Sequence, residues 1–182
     1  MNKNKLLLLL AIIGVGLTSC EKKTSTIAKG EYENGIFIVN EGQFGHGNAS
    51  ISFTDENAST IENEIYKSVN DVALGDQAQS IGFNGDKAYI VVTGSNKIEV
   101  TNANTMERLV TISSGLTNPR YFETISANTA LVSCWGDPLD ATDDYLAIIN
   151  TSSDAVSNTI PVALGPEKMV KNDDYLFVAH QG

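Results

Sequence analysis

The 182-residue sequence has little cysteine and little basic charge. It has two cysteines, Cys20 and Cys134, and the first ends an export signal described below. Cys134 is thereby left without a partner, which excludes a disulfide framework and predicts a buried, inert thiol. Only 12 residues are Lys or Arg against 22 Asp or Glu, giving a formal net charge of −10. Because nucleic-acid binding needs a basic stripe, we expect no nucleic acid or other polyanion as partner.

Sequence signals of catalysis and of cofactor binding are also missing. No Ser/His/Asp order, catalytic carboxylate pair or H-E-x-x-H motif is present. Gly42, Gly45 and Gly47 form a glycine-rich stretch, but no helix is predicted after it, so a phosphate cradle is not expected. We predict no cofactor and no catalytic residue. A helical repeat is excluded as well, because the chain lacks a period of 3.6 residues.

Residues 1–19 have the pattern of a lipoprotein signal peptide. Basic residues near Met1 precede the apolar run Leu6–Leu17, and a lipobox, Leu17-Thr18-Ser19-Cys20, follows. The run is shorter than the roughly 20 apolar residues that cross a bilayer. We expect Cys20 to be diacylated and to anchor the mature protein to a membrane, with residues 20–33 as a tether. A short buried helix ending in a chance cysteine is the alternative.

Residues 78–113 contain the unit around which the rest of the chain is organised. Turns rich in Asn and Gly separate short β-strands, as in Asn84-Gly85-Asp86. Four strands, which we name a to d, are predicted at Gln79–Phe83, Lys87–Val92, Lys97–Val100 and Arg108–Ile112. Strand b is the most apolar and is rich in β-branched and aromatic residues.

Strand b recurs along the chain with a period of about 40–50 residues, which is typical of four-stranded propeller blades. Its copies are Ile36–Val39, Ala88–Val91, Ala130–Ser133 and Leu176–Ala179. We therefore predict an all-β protein whose residues 34–182 form a β-propeller of four-stranded antiparallel blades. Each strand b should be buried on both faces between neighbouring sheets, and each strand d should lie at the outer rim.

The other strands recur in the same order. Strand a is expected again at Pro119–Phe122 and Pro166–Met169, strand c at Ala49–Phe53 and Tyr145–Ile149, and strand d at Ile61–Tyr66 and Ser157–Val162. About three and a half blades are accounted for, whereas propellers usually close with 4–8. We expect the sequence to be a fragment that lacks further C-terminal blades.

Candidate binding residues fall in the loops between strands b and c, which an up-and-down blade places at one end of its sheet. The only Trp, Trp135, and both His, His46 and His180, lie there together with Phe44. Loops on a rigid scaffold commonly carry binding groups. Phe44 and Trp135 are expected either to contact a ligand or to cover the end of the ring. His46 and His180 lack a third ligand, so no metal site is predicted.

Further polar residues complete the set of ligand-binding candidates. Asn48, Asn96 and Asp137 lie in the same loops, and Gln79 and Arg120 begin successive a strands, as does Glu167. The a-strand residues are expected to point into the channel or to hydrogen-bond to the adjoining blade. The acidic run of the third loop, Asp137, Asp140, Asp143 and Asp144, has either turn-capping or calcium-binding character.

Several strings carry a resemblance to a known family. They are NGIFIVNEGQFGHGNASISF (34–53), AQSIGFNGDKAYIVVTGSNKIEV (78–100), NPRYF (118–122), SCWGD (133–137) and GPEKMV (165–170). They resemble the YncE-like propeller lipoproteins of Bacteroidota, which are seven-bladed in full. This group includes BtuG-type surface proteins, and that resemblance implies cobalamin capture at the outer-membrane surface for a TonB-dependent transporter. A protein-binding scaffold and a propeller lyase or lactonase are the alternatives.

Overall fold

A computed structural model describes residues 31–181, and these form antiparallel β-sheets. The strands are β1 Gly35–Asn40, β2 Ser50–Asp55, β3 Ile61–Glu62, β4 Ala78–Asn84, β5 Lys87–Val92, β6 Lys97–Asn102, β7 Arg108–Ile112, β8 Pro119–Ser126, β9 Thr129–Cys134, β10 Tyr145–Asn150, β11 Ala155–Pro161, β12 Pro166–Lys171 and β13 Leu176–His180. A helix, α1, spans Ile65–Asn70, and a 3₁₀ turn spans Thr93–Ser95. The signal peptide, Cys20 and most of the predicted tether lie outside the described residues.

Within each sheet, every strand pairs with its neighbour in sequence, as in the blades of a propeller. The four sheets have the orders β1-β2-β3, β4-β5-β6-β7, β8-β9-β10-β11 and β12-β13. The inner strands β4, β8 and β12 lie next to one another, so the sheets are arranged around a common axis. This arrangement confirms the predicted all-β class and the four-stranded antiparallel blades. Within residues 31–181 no helix is both long and apolar enough to cross a membrane.

The two central sheets bury their b strands on both faces, as predicted. Every residue of β5 after Lys87 is buried, and so is every residue of β9 after Thr129. One face of β5 packs with β9 and β10, and the ring of Phe122 stacks on Tyr89 with 4.4 Å between centroids. The other face of β5 packs against the first sheet through Ile90 and Val92. The outer strands β7 and β11 are largely exposed, which agrees with their predicted place at the rim.

The predicted d strand at Ile61–Tyr66 is wrong. The structure has only the two-residue strand β3 at Ile61–Glu62, followed by helix α1. Glu64 has a left-handed backbone with φ 56°, which ends the extended conformation before Ile65. Ile65 and Tyr66 then turn inward and pack in the core between the first two sheets. Burial of these two side chains thus prevails over the strand preference of the local sequence.

The terminal b strands also differ from the expectation of burial on both faces. In β1, Ile36 and Ile38 are exposed while Phe37 and Val39 pack inward. β13 alternates in the same way, with Phe177 exposed. Among residues 31–181 each of these strands has a neighbouring sheet on one face only, so alternate side chains face solvent.

Candidate functional site

The loops that follow β1, β5 and β9, together with the segment from His180, form one surface, which we call the loop face. Residues 41–49 are tied to the segment that leads into β4. Ala78 donates its N–H to the Glu41 carbonyl at 3.1 Å, and Ala49 donates to the Gly75 carbonyl at 3.1 Å. The connection from strand b to strand c and the connection from strand d to the next strand a therefore lie at the same end of the sheets, as the up-and-down pattern requires.

Phe44 projects from the first loop and is 74% exposed. The N–H of the next residue, Gly45, donates to the Asp76 carboxylate at 2.8 Å. Inside the loop, Asn48 accepts the N–H of Gln43 through Oδ1 at 2.8 Å. These bonds hold the loop backbone while the aromatic ring of Phe44 stays in solvent. Asn48 therefore has a structural role, because its side-chain oxygen holds the two ends of the loop together.

The second and third loops are linked by two asparagines. Asn96 has a left-handed backbone, and its Oδ1 accepts the N–H of Asn118 at 2.7 Å. Asn118 in turn donates its side-chain amide to the carbonyl of Gly136 at 2.8 Å. Asn96 is therefore a positioning residue that fixes one loop against the next. Sequence reasoning included Asn96 but missed Asn118.

Arg120, Trp135 and Glu167 form a cluster between the third and fourth sheets. Arg120 donates from Nη2 to Glu167 Oε1 at 3.0 Å, and its guanidinium lies 4.0 Å from the centroid of the Trp135 ring. The Trp135 indole N–H donates to the Pro166 carbonyl at 3.1 Å. A cation on an indole face contributes up to about 2 kcal/mol when it is shielded from water. Of the two expectations for Arg120, hydrogen bonding to the adjoining blade is the one that the structure shows.

Gln79 makes the equivalent contact one blade earlier. Its side-chain amide donates to the Tyr121 hydroxyl at 2.9 Å, across the gap from β4 to β8. Lys168 on β12 lies over the same tyrosine ring at 5.6 Å. The first residues of strand a thus connect successive blades near the axis.

The acidic residues of the third loop mostly cap turns. The Asp137 N–H donates to Asp143, and the Asp140 carboxylate accepts both the N–H and the hydroxyl of Thr142, which lowers the pKa of Asp140. Gly136 has φ 64° and a Cβ there would collide with the Asp143 carboxylate, so this turn requires glycine. No calcium-type arrangement follows from these contacts.

A cavity of about 400 Å³ opens beside this loop. Its wall is made by Trp135, Asp137, Pro138, Leu139, Asp140, Ala141, Asp144, Leu164, Gly165 and Gln181. Asp144 differs from the other aspartates because it is only 2% exposed. Its Oδ2 accepts the N–H of Gly165, while Oδ1 has no hydrogen-bond partner among residues 31–181. The sequence left turn capping and calcium binding open for Asp144 and contained no signal for the cavity.

The two histidines have different neighbours. The Nδ1 of His180 lies 3.0 Å from the Leu164 carbonyl, near the cavity, whereas His46 lies in the first loop. Within the described range, no three His, Cys, Asp or Glu side chains are grouped as a metal site would need.

Cys134 ends β9 just before the third loop and is buried. Burial raises the pKa of its thiol to about 12. Since the thiolate is the reactive form, this residue is unreactive at neutral pH, as the sequence predicted.

The fold and the hydrogen-bonded loop face define a β-propeller built from four-stranded blades. The chain belongs to the family described as "Domain of unknown function (DUF5074)", whose model matches residues 34–182. Comparison with curated proteins found no match.

A solved structure with a similar fold is the Kuenenia stuttgartiensis hydrazine synthase. The similarity has a TM-score of 0.57 at 17% sequence identity and covers 75% of this chain. The matched part makes up 36% of the hydrazine synthase chain. At this identity the similarity shows the fold alone.

Proposed function

We propose that this protein is an outer-membrane lipoprotein, anchored through Cys20, whose propeller captures a bulky small molecule on the loop face. The ligand of this proposal is cobalamin, to be passed to a TonB-dependent transporter at the cell surface. The observation that carries ligand binding is the exposed Phe44 ring on a loop held by hydrogen bonds. Because the loop backbone is already held in place, binding there loses little loop entropy, and the aromatic ring offers a large contact area.

Cobalamin itself is supported by the strings that resemble the YncE-like and BtuG-type proteins. The acidic chain also suits a ligand that is not an anion, because a net charge of −10 repels polyanions. A corrinoid is wide enough to touch more than one loop, so Phe44 and Trp135 would both contribute contact area.

Isothermal titration of the chain with cyanocobalamin tests the proposal. Binding in the micromolar range or tighter is expected, and Phe44→Ala should weaken it by roughly tenfold, the equivalent of about 1.4 kcal/mol. Tyr175→Ala is the matched control, since Tyr175 is also an exposed aromatic residue but lies in a turn at the opposite end of the sheets.

Absence of binding at micromolar cyanocobalamin would remove cobalamin from the proposal. Equal weakening by Phe44→Ala and Tyr175→Ala would instead remove the loop face as the binding surface. Turnover of a lactone or a polyuronic acid by the purified chain would favour the propeller-enzyme alternative, and binding to a protein alone would favour a scaffold.

A further inference from the structure

The cavity beside the third loop has the size and composition of a small-molecule site. At about 400 Å³ it falls within the range of about 300–1,000 Å³ that is usual for ligand pockets. Its lining combines apolar groups, chiefly Trp135, Leu139 and Leu164, with three carboxylates, Asp137, Asp140 and Asp144. No Lys or Arg is part of the lining.

The three carboxylates are not equivalent. Asp137 and Asp140 accept backbone N–H groups of their own loop, and both are exposed. Asp144 is buried, and one of its oxygens has no donor within residues 31–181. A buried carboxylate oxygen without a donor is unfavourable, and a cationic donor satisfies it best.

Arg120, a cation that contacts the cavity-lining Trp135, has no hydrogen bond to Asp144. Its guanidinium lies on the Trp135 ring and donates to Glu167, which compensates its charge. The ring is fixed by its indole N–H bond to the Pro166 carbonyl. Trp135 therefore contributes a fixed apolar wall, and the charge of the cavity remains negative.

We propose that this cavity binds a small organic cation, a protonated amine attached to an apolar body. The ammonium group donates to the carboxylate of Asp144, and the apolar part lies among Trp135, Leu139 and Leu164. This inference rests on the proposed function only in placing a ligand on the loop face. It concerns a second ligand and is tested with a different probe, so either proposal can fail alone.

Trp135 is the only tryptophan of the chain, so its fluorescence reports on the cavity directly. The probes are 2-phenylethylamine, which is protonated at pH 7, and two analogues of similar shape, neutral 2-phenylethanol and anionic phenylacetate. We expect the amine to change the fluorescence with a dissociation constant in the millimolar range or tighter, and each analogue to bind at least tenfold more weakly.

Asp144→Asn removes the charge but keeps an oxygen that can accept the Gly165 N–H. It should weaken the amine at least tenfold, whereas Asp173→Asn, in an exposed turn at the other end of the sheets, should leave binding unchanged. If Asp144→Asn does not fold, Asp137→Asn takes its place, with an expected loss of two- to threefold, because exposed charges are screened.

Equal binding of amine and alcohol would overturn the proposal. So would unchanged amine binding in a folded Asp144→Asn protein, or no fluorescence change with any probe. Cyanocobalamin titrated into the same samples keeps the two proposals separate, since its binding does not require the charge of Asp144.

Discussion

The b strands of the central and terminal sheets have similar apolar sequences but different surroundings. In β5, Tyr89 is 0% exposed between two neighbouring sheets. In β13, Phe177 occupies a similar strand and is 56% exposed. Since both strands are rich in apolar residues, the difference comes from the neighbouring sheet and not from the strand itself. In a propeller, therefore, a large share of the stability of a blade is supplied by the blade next to it.

The largest effect is expected from shortening a side chain at the interface between the second sheet, β4–β7, and the third sheet, β8–β11, which we call the central interface. Tyr89→Ala removes the stacking on Phe122 and the hydrogen bond from the Tyr89 hydroxyl to Asp154 at 2.8 Å. We expect a loss of about 3–5 kcal/mol in the free energy of unfolding, measured by urea denaturation. Tyr175→Ala is the matched control, because Tyr175 is 67% exposed in the turn that precedes β13 of the terminal sheet.

The control should change stability by less than about 1 kcal/mol. Similar losses for the two tyrosine variants would contradict the distinction between central and terminal sheets. Tyr89→Phe separates the two contributions at the central site, since it keeps the stacking and loses only the hydrogen bond, about 1 kcal/mol.

A medium effect is expected from alkaline pH, through the buried thiol of the central interface. The pKa of Cys134 is about 12 in the folded chain against an ordinary value of 9.0. The folded state therefore favours the protonated thiol, and this contribution is complete below pH 9 and is lost as pH rises from 9 towards 12. At pH 10 the loss is about 1.4 kcal/mol relative to pH 8.

Cys134→Ala provides the test, because it removes the titrating group. Between pH 8 and 10 the unfolding free energy of the variant should fall by about 1.4 kcal/mol less than that of the parent chain. Higher pH is avoided, since burial also raises the pKa of Tyr32 and Tyr66 to about 12, and these residues add losses of the same sign above pH 10. Parallel pH curves for the two proteins would show that Cys134 does not carry the effect.

Strands were predictable from sequence where local preference and tertiary environment agree. The predicted bounds Lys87–Val92 and Arg108–Ile112 match β5 and β7. Ile61–Tyr66 failed because Ile65 and Tyr66 pack into a core that includes side chains from distant parts of the chain, such as Ile90 and Met106. No window of local sequence contains that information.

The candidate site was predictable as a surface but not as a set of contacts. The repeat placed Phe44 and Trp135 in equivalent loops. It could not distinguish Asp143 from its neighbour Asp144, although the first caps an exposed turn and the second is buried against Gly165. That difference depends on a segment about twenty residues further along the chain, which only the folded structure brings close.

The smallest effect is expected on the exposed face of the last sheet. Phe177→Ser replaces a 56% exposed side chain that lies opposite the exposed Val170 of β12, and its ring centroid is 6.4 Å from that of Tyr175. In the 182-residue chain we expect the unfolding free energy to change by no more than about 0.5 kcal/mol, as is usual for surface substitutions. Ala179→Ser, on the same exposed face of β13, is a control for adding a hydroxyl without removing a ring.

A loss of 2 kcal/mol or more for Phe177→Ser alone would mean that another surface covers this face in solution. Sedimentation at several protein concentrations would then show whether a second copy supplies it, because mass action makes the stability of an associated chain depend on concentration.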